Sequence, residues 1–135
     1  MKIPVRIGPS RIEGQGLFAV QDIKKGIRVI QYIGEKIDKA ESLRRVAEGN
    51  AFIFAFNDRY DIDGKTRKNK ARYVNHACDP NCAVDITRRT IWIVARRDIK
   101  AGEELSYNYG YNAKQYVCTC GAKHCYGYIL DAQYW

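Results

Sequence analysis

Three cysteines within eight residues near the C terminus form the densest group of reactive side chains in the sequence. The stretch VCTCGAKHCYGY, residues 117–128, carries Cys118, Cys120 and Cys125. Thiolate clusters at such short spacing are characteristic of structural zinc, which takes four ligands in a tetrahedral site. The spacing therefore predicts a zinc site that needs a fourth ligand from elsewhere, and the candidates are His124, Cys82 and Cys78.

A second chemically dense stretch is ARYVNHACDPNC, residues 71–82, in which Asn75, His76 and Cys78 precede an Asp-Pro-Asn turn signal. His76 and Cys78 share a face if this stretch is a strand. A cysteine–histidine dyad for nucleophilic catalysis is therefore one interpretation, and it requires an activated thiolate. The odd number of cysteines disfavours a disulfide framework and leaves metal binding or reactive thiols.

Short β-strands and one helix are predicted to position these side chains. The apolar, β-branched and aromatic runs IRVIQYI, AFIFAF and TIWIVA, residues 27–33, 51–56 and 90–95, are typical of strands. Between the first two lies a helix that Asp38 caps, with Glu41 completing a capping-box pattern. Gly49 or Asn50 ends it, and its apolar face consists of Ala40, Leu43, Val46 and Ala47.

Two pentapeptides resemble each other, DIKKG at residues 22–26 and DIKAG at residues 98–102, with four of five positions identical. The glycine of each can adopt the positive φ of a tight turn into the following strand. We interpret them as two ordinary turns rather than a true repeat. The strands that follow them are expected to deliver Tyr32, Tyr107 and Tyr109 to the interior.

The length of 135 residues fits one domain with one core. The sequence shows neither a secretory signal nor an apolar run long enough to span a membrane, so we expect a soluble intracellular protein. Its net charge of +8 is concentrated in residues 65–72 and 88–97. Such segments favour contact with nucleic acid or an acidic protein, or form a solvated surface.

Five motifs in order give the chain a family resemblance. It resembles the SET-domain protein lysine methyltransferases that carry a C-terminal post-SET zinc-binding tail. The motifs are IEGQGLFA (12–19), VIQYIGE (29–35), ARYVNHACDPN (71–81), GEELSYNYG (102–110) and CTCGAKHCYGYI (118–129).

The resemblance implies a mainly β fold of the β-clip type. Members of this family have several small curved sheets, few short helices and a C-terminal pseudoknot. The implied division is a SET domain at residues 1–112 and a post-SET zinc-binding tail at 113–135. The family's ligand pattern implies one structural Zn²⁺ held by Cys78, Cys118, Cys120 and Cys125, which leaves Cys82 free.

The implied activity is transfer of a methyl group from S-adenosylmethionine to a lysine of a histone or another protein. Phe52 stands at a cofactor position where the family often has tyrosine. The cofactor-binding positions carried over from the family are Glu13, Gly14, Gln15, Gly16, Leu17, Phe52, Arg72, Asn75, His76, Thr119 and Tyr128.

Three tyrosines correspond to the family's lysine channel. Tyr109 matches the catalytic tyrosine, Tyr107 the position that limits the number of methyl groups, and Tyr32 a wall of the channel. Because Tyr107 carries a hydroxyl, we expect mainly mono- or dimethylation. At pH 7 only about one lysine in 2,500 is neutral, so supplying the neutral amine costs about 4.6 kcal/mol.

The positive charge is a difficulty for a basic histone tail, since a chain of net charge +8 repels it at long range. The substrate is then acidic, or nucleic acid bound to the basic patches lies near the target, or a local acidic groove attracts the tail. The rival function is a zinc-dependent nucleic-acid-binding module without catalysis. The expected location is the cytoplasm, or the nucleus in association with chromatin. The candidate groove residues are Asp58, Asp61, Asp63, Glu103 and Glu104.

Overall fold

The computed structural model describes residues 2–111 and 117–129. The strands are β1 Val5–Pro9, β2 Gln15–Ala19, β3 Arg28–Tyr32, β4 Glu35–Asp38, β5 Ile53–Ala55, β6 Tyr60–Asp63, β7 Asn75–His76, β8 Cys82–Ile86, β9 Ile91–Ala95 and β10 Ser106–Tyr107. The helices are α1 Lys39–Ala47 and a 3₁₀ helix Lys70–Tyr73. None of the helices in the described part of the chain is long and apolar enough to cross a membrane.

The described strands form small separate sheets, as predicted for a mainly β chain. β1 pairs antiparallel with β2, and two three-stranded antiparallel sheets have the orders β3-β9-β8 and β4-β6-β5. The short strands β7 and β10 pair in parallel. All three strands predicted from apolar runs are present, as β3, β5 and β9.

The core lies against the β3-β9-β8 sheet. Along β9 the residues alternate between buried and half-buried, so one face of the strand is directed inward. Tyr32 at the end of β3 pairs with Ile91 at the start of β9, which fixes where this tyrosine enters the interior. The largest fully buried side chains include Leu17, Val74, Ile91, Ile93, Ile99 and Leu105.

The helix α1 begins where the sequence predicts, because the Asp38 carboxylate accepts the Glu41 backbone N–H at 2.9 Å. Its predicted apolar face is wrong as a packing surface, since Leu43 is 74% and Val46 51% exposed. Polar contacts attach the helix instead. Arg45 pairs with both Glu35 and Asp63 at 2.8 Å.

Lys39 adds a second ion pair from α1, to Asp61 of β6 at 2.5 Å. The exposed positions of the face that we predicted to be apolar are Ala40, Leu43, Val46 and Ala47. Helical periodicity identified the helix, but ion pairs to β4 and β6 decide which side of it faces the sheet.

The two similar pentapeptides face each other across an antiparallel bridge between Ile23 and Ile99. Each of these residues donates its N–H to the other's carbonyl at 2.7 Å. The side chain of each aspartate also accepts a backbone N–H from the other pentapeptide. Asp98 accepts the Lys25 N–H and Asp22 accepts the Ala101 N–H, both at 2.9 Å. The turn glycines have nearly equal φ of +91° and +92°. We call this arrangement the twin turns.

Candidate functional site

The parallel pair β7–β10 places Asn75 beside Ser106 and His76 beside Tyr107. The Ala77 N–H extends this pairing by donating to the Tyr107 carbonyl at 3.2 Å. Strand β10 therefore lies directly against residues 75–78, which we call the NHAC segment. The predicted boundary between residues 112 and 113 lies outside the described residues.

Asn81 holds the loop after β7 to β10 and was missed by the sequence analysis. Its side-chain amide donates to the Glu104 carbonyl at 2.9 Å and accepts the Ser106 N–H at 2.9 Å. The residue is buried, so these bonds replace water that it would otherwise need. An asparagine after an Asp-Pro pair reads as an ordinary turn residue, and only the fold reveals that it crosses to another strand.

The three predicted channel tyrosines come together, joined by two aromatic rings that the sequence analysis did not single out. Tyr107 and Tyr109 have ring centroids 5.0 Å apart. Phe54 lies 4.9 Å from Tyr32 and 6.0 Å from Tyr107, and Tyr111 lies 5.7 Å from Tyr109. We call these five residues the aromatic cluster. The alternation in AFIFAF and YNYGY was the available signal, because residues two apart on extended chain share a face.

Backbone carbonyls fix the orientation of two hydroxyls in the aromatic cluster. Tyr32 donates to the Phe52 carbonyl at 2.8 Å, and Tyr109 donates to the Val74 carbonyl at 2.7 Å. Burial raises the pKa of Tyr32, Tyr107 and Tyr109. All three phenols are therefore protonated at neutral pH and act as neutral hydrogen-bonding groups rather than bases.

His76 links the aromatic cluster to the cysteines. Burial lowers the pKa of His76 to about 4, so the imidazole is neutral at pH 7. Its Nδ1 accepts the Tyr109 N–H at 3.0 Å, which places the remaining proton on Nε2. Nε2 lies 3.7 Å from the Cys78 Sγ. Because burial raises the pKa of the Cys78 thiol, the pair lacks the activated thiolate that a nucleophilic dyad requires.

Asn75 contacts the turn that precedes β2. Its amide nitrogen lies 3.0 Å from the carbonyls of Glu13 and Gln15 and 3.0 Å from the Glu104 carboxylate. Ser10 donates its hydroxyl to the same carboxylate at 2.6 Å. We call residues 12–19, which contain the predicted cofactor-binding positions 13–17, the first cofactor motif. These contacts hold it against the NHAC segment.

The glycines of this motif have two distinct roles. Gly14 has a φ of +44°, which favours glycine. A Cβ on Gly16 would lie 2.5 Å from the Glu104 carboxylate, so a side chain here would displace Glu104 from its present position. Glu13, Gly14 and Gln15 are exposed, whereas the Leu17 side chain is fully buried in the core.

Arg72 lies over the Phe52 ring, with its guanidinium carbon 4.1 Å from the ring centroid. It also lies 5.3 Å from the Tyr73 ring centroid and donates to the Lys65 carbonyl. Its Nε is buried and has no hydrogen-bond partner among the described residues. An unpaired buried donor is costly, so this atom indicates that an acceptor binds here.

Four cysteines meet at one point, namely Cys78, Cys118, Cys120 and Cys125, and we call them the cysteine cluster. Their sulfur atoms all lie within 4.8 Å of one another. The Sγ of Cys78 is 3.8 Å from those of Cys118 and Cys125. A tetrahedron with Zn–S bonds of about 2.3 Å has sulfur–sulfur edges of about 3.8 Å, so the cluster is able to bind zinc.

The other two candidates for the fourth ligand lie elsewhere. Cys82 is 1% exposed in the core, where burial raises the pKa of its thiol to about 12. His124 lies on an exposed turn and does not belong to the cysteine cluster.

The tail, by which we mean residues 117–129, contacts the first cofactor motif through Thr119, whose hydroxyl donates to the Ile12 carbonyl. Within the tail, Val117 bridges to Tyr128, and the Cys118 N–H donates to the Gly127 carbonyl at 2.9 Å. Tyr128 is 38% exposed. The structure thus places Thr119 beside Ile12 and leaves the Tyr128 ring partly open to solvent.

Comparison with known proteins agrees with this geometry. The histone-lysine N-methyltransferase of Schizosaccharomyces pombe described as H3 lysine-4 specific is 39% identical over 140 residues, covering 95% of this chain and 15% of that protein. Trithorax of Drosophila melanogaster is 38% identical over 131 residues, covering 89% of this chain and 4% of trithorax.

The histone-lysine N-methyltransferase set-2 of Caenorhabditis elegans is 33% identical over 137 residues, covering 93% of this chain and 9% of that protein. The chain therefore spans 15% or less of the length of these relatives. The family profile described as SET domain matches residues 14–110, and on this match and these identities the chain belongs to the SET domain family.

Proposed function

We propose that this chain is a protein-lysine N-methyltransferase that transfers a methyl group from S-adenosylmethionine to a lysine of a histone or another protein. The observation that carries the proposal is the aromatic cluster beside the NHAC segment, with the hydroxyls of Tyr32 and Tyr109 fixed by carbonyls. Similarity to histone-lysine methyltransferases supports the same reaction. By the family pattern, Tyr109 is the catalytic tyrosine, and Tyr107 and Tyr32 line the channel.

The residues fit the cofactor. Arg72 has a buried Nε without a partner among the described residues, which suits an anionic carboxylate. Gly14 and Gly16 keep the backbone of the first motif free of side chains, so a ligand can approach it closely. When bound, the cofactor supplies the methyl group and a positively charged sulfonium. The residues proposed to hold it are Glu13, Gly14, Gln15, Gly16, Leu17, Phe52, Arg72, Asn75, His76, Thr119 and Tyr128.

The channel's own task is to supply and align a neutral amine. Its proposed walls are aromatic, and Tyr32 and Tyr107 are buried, so a lysine inserted beside them loses hydration and its pKa falls. That fall offsets part of the cost of about 4.6 kcal/mol for deprotonation at pH 7. Tyr109, oriented by the Val74 carbonyl, aligns the amine, and alignment of this kind provides much of a transfer reaction's acceleration.

The cysteine cluster is proposed to hold one structural Zn²⁺. Burial raises the pKa of the Cys78 and Cys118 thiols, and a bound dication reverses this by deprotonating its ligands. Zinc would fix the tail against the NHAC segment and keep Thr119 at the Ile12 carbonyl. The tail then acts as a lid on the cofactor site.

The substrate, the product and the location follow from the relatives and remain part of the proposal. We propose a histone tail as the first substrate to test, and action on chromatin in the nucleus or on another protein in the cytoplasm. Tyr107 carries a hydroxyl that takes up room beside the amine, so mono- and dimethyl-lysine are the proposed products.

Incubation with methyl-labelled S-adenosylmethionine and a histone H3 peptide tests this function. We expect labelled peptide with the site mapped to lysine, and a rise in melting temperature on adding unlabelled cofactor alone. The same incubation is carried out with a cell lysate as substrate. If the cofactor leaves the melting temperature of both the apo and the zinc-loaded chain unchanged, and no protein of the lysate is labelled, the chain is instead the non-catalytic zinc module.

A further inference from the structure

Two basic segments that are distant in sequence meet at the end of β3. The hairpin between β8 and β9 lies on one side, because Tyr32 pairs with Ile91. On the other side, the loop after β6 is held by Asn69, whose side-chain oxygen accepts the Ile33 N–H at 3.1 Å. Ile33 therefore has one basic segment on each flank. A cavity of about 160 Å³ beside it includes Arg89 in its lining.

The cations of these segments are exposed and lack acidic partners within the described residues. We call them the basic surface: Lys65, Arg67, Lys68, Lys70, Arg88 and Arg89. Other cations have acidic partners, as Arg28 pairs with Asp85 and Arg96 and Arg97 share Asp79. The basic surface thus contributes an uncompensated part of the net charge of +8.

Three of the five acidic residues that we considered for a groove are engaged by other residues. Asp61 and Asp63 are paired with Lys39 and Arg45 of α1. Glu104 accepts bonds from Ser10 and Asn75 beside the first cofactor motif. None of the three pairs with a cation of the basic surface, and such a cluster of exposed positive charge attracts polyanions.

The chemistry of the two segments suits a nucleic acid duplex. All six cations are exposed, and each contact between such a cation and a phosphate releases a counterion from the duplex. We propose that the basic surface binds the phosphate backbone of duplex nucleic acid, apart from the methyl-transfer site.

An acidic protein is the competing partner. Protein interfaces have cores from which charged residues are depleted, whereas the basic surface consists of six exposed cations. Phosphate contacts need no pocket, because they fix position through charge and carry no base sequence. Bound duplex would also offset the repulsion between a basic chain and a basic histone tail.

The test is fluorescence anisotropy of the zinc-loaded full chain with a short, labelled, mixed-sequence DNA duplex over a range of salt concentrations. The variant Lys68→Gln/Arg89→Gln removes one cation from each segment. The matched control Lys25→Gln/Lys100→Gln removes the same charge at the twin turns. Both lysines of the control are exposed. Zinc content and melting temperature establish that each variant is folded.

We expect the wild type to bind with an affinity that falls as salt rises. Losing two phosphate contacts lowers the slope of log affinity against log salt by about 1.8, or about 60-fold in affinity at 0.1 M salt. The control should keep the wild-type slope to within half of that change. Equal losses in both variants, no loss in either, or no duplex binding would overturn the proposal. Tighter binding of a polyglutamate peptide than of duplex would assign the surface to an acidic protein. Since no cofactor is present, the result is independent of methyl transfer.

Discussion

The aromatic cluster and the tail are stabilised in opposite ways. Three of the five residues of the aromatic cluster lie on strands, Tyr32 on β3, Phe54 on β5 and Tyr107 on β10, and Tyr32 and Tyr107 are almost fully buried. The tail contains a single isolated bridge, between Val117 and Tyr128, and Val117 is 71% exposed. Burial of apolar surface stabilises the first region, whereas the second has too little of it to order itself.

The difference shows what each region depends on. If the proposed function is correct, removing one hydroxyl from the aromatic cluster should change the chemistry of a site that stays folded. Removing one sulfur from the cysteine cluster should instead remove a zinc ligand and with it the order of the tail. His76 is the point at which the two regions meet, since it accepts the Tyr109 N–H and lies 3.7 Å from the Cys78 sulfur.

The largest effect is expected from Cys78→Ser, because structural zinc binding is worth about 10–16 kcal/mol in small domains. We expect the variant to lose zinc and methyl transfer while the β-sheet signal in circular dichroism persists. The matched control is Cys82→Ala, which removes a buried sulfur outside the cluster at a cost of about 1–3 kcal/mol and keeps its zinc. Stoichiometric zinc in Cys78→Ser, measured by atomic emission, would show that the tail has another fourth ligand.

Tyr109→Phe should lower kcat about 100-fold or more, since misalignment by about 1 Å costs that much. It also leaves the Val74 carbonyl without its donor, which lowers the free energy of unfolding by about 1–3 kcal/mol. The thermal shift caused by S-adenosylmethionine should remain. Tyr60→Phe, on a half-buried ring under Lys36, is the control for loss of a phenol. Near-normal turnover in Tyr109→Phe would contradict the catalytic role.

Tyr107→Phe should change the product rather than the rate. Without the hydroxyl, a methylated nitrogen has room to rotate and accept another methyl group, so trimethyl-lysine should appear. We expect total turnover to stay within about tenfold, because the ring and its packing are unchanged. Mass spectrometry of the peptide measures the products. Abundant trimethyl-lysine from the wild type would remove the basis for this role of Tyr107.

The smallest effect is expected from Glu104→Gln. The carboxylate accepts bonds from Ser10 and Asn75, and the loss of its charge weakens them by about 1 kcal/mol. We expect KM for S-adenosylmethionine to rise about fivefold with kcat nearly unchanged, because the bonds position the first cofactor motif. Glu103→Gln is the control, since the Glu103 carboxylate accepts the Lys100 N–H and contacts neither Ser10 nor Asn75. A fall in kcat with unchanged KM would place Glu104 in the chemistry itself.

The sequence predicted those parts of the fold that depend on local pattern. The strands β3, β5 and β9 and the Asp38 cap follow from residue type and period. The position of the fourth cysteine came from family likeness, since spacing alone left three candidates open. The structure brings Cys78, and neither Cys82 nor His124, to the other sulfurs.

The remaining features depend on contacts between distant residues, which period does not encode. The sequence gives no sign that Arg45 pairs with Glu35 and Asp63, so the polar side of α1 faces the sheet. The sequence also does not predict that Asn81 bonds another strand or that the Arg72 Nε lacks a partner among the described residues. Both features depend on residues that are distant in the chain. Among these features, only the aromatic cluster is indicated by a local pattern, since aromatic residues alternate in AFIFAF and YNYGY.

The twin turns have a consequence for how the chain acquires its structure. Lys25 and Asp98 are 73 positions apart, and Ala101 and Asp22 are 79 apart. Contacts of such separation slow folding, because a long loop must close before they stabilise anything. During synthesis, the first half of the chain therefore emerges without the partner that closes its turn before β3. The aromatic cluster is completed only after Tyr111 has left the ribosome, and until then the apolar surface of the N-terminal half is exposed to aggregation.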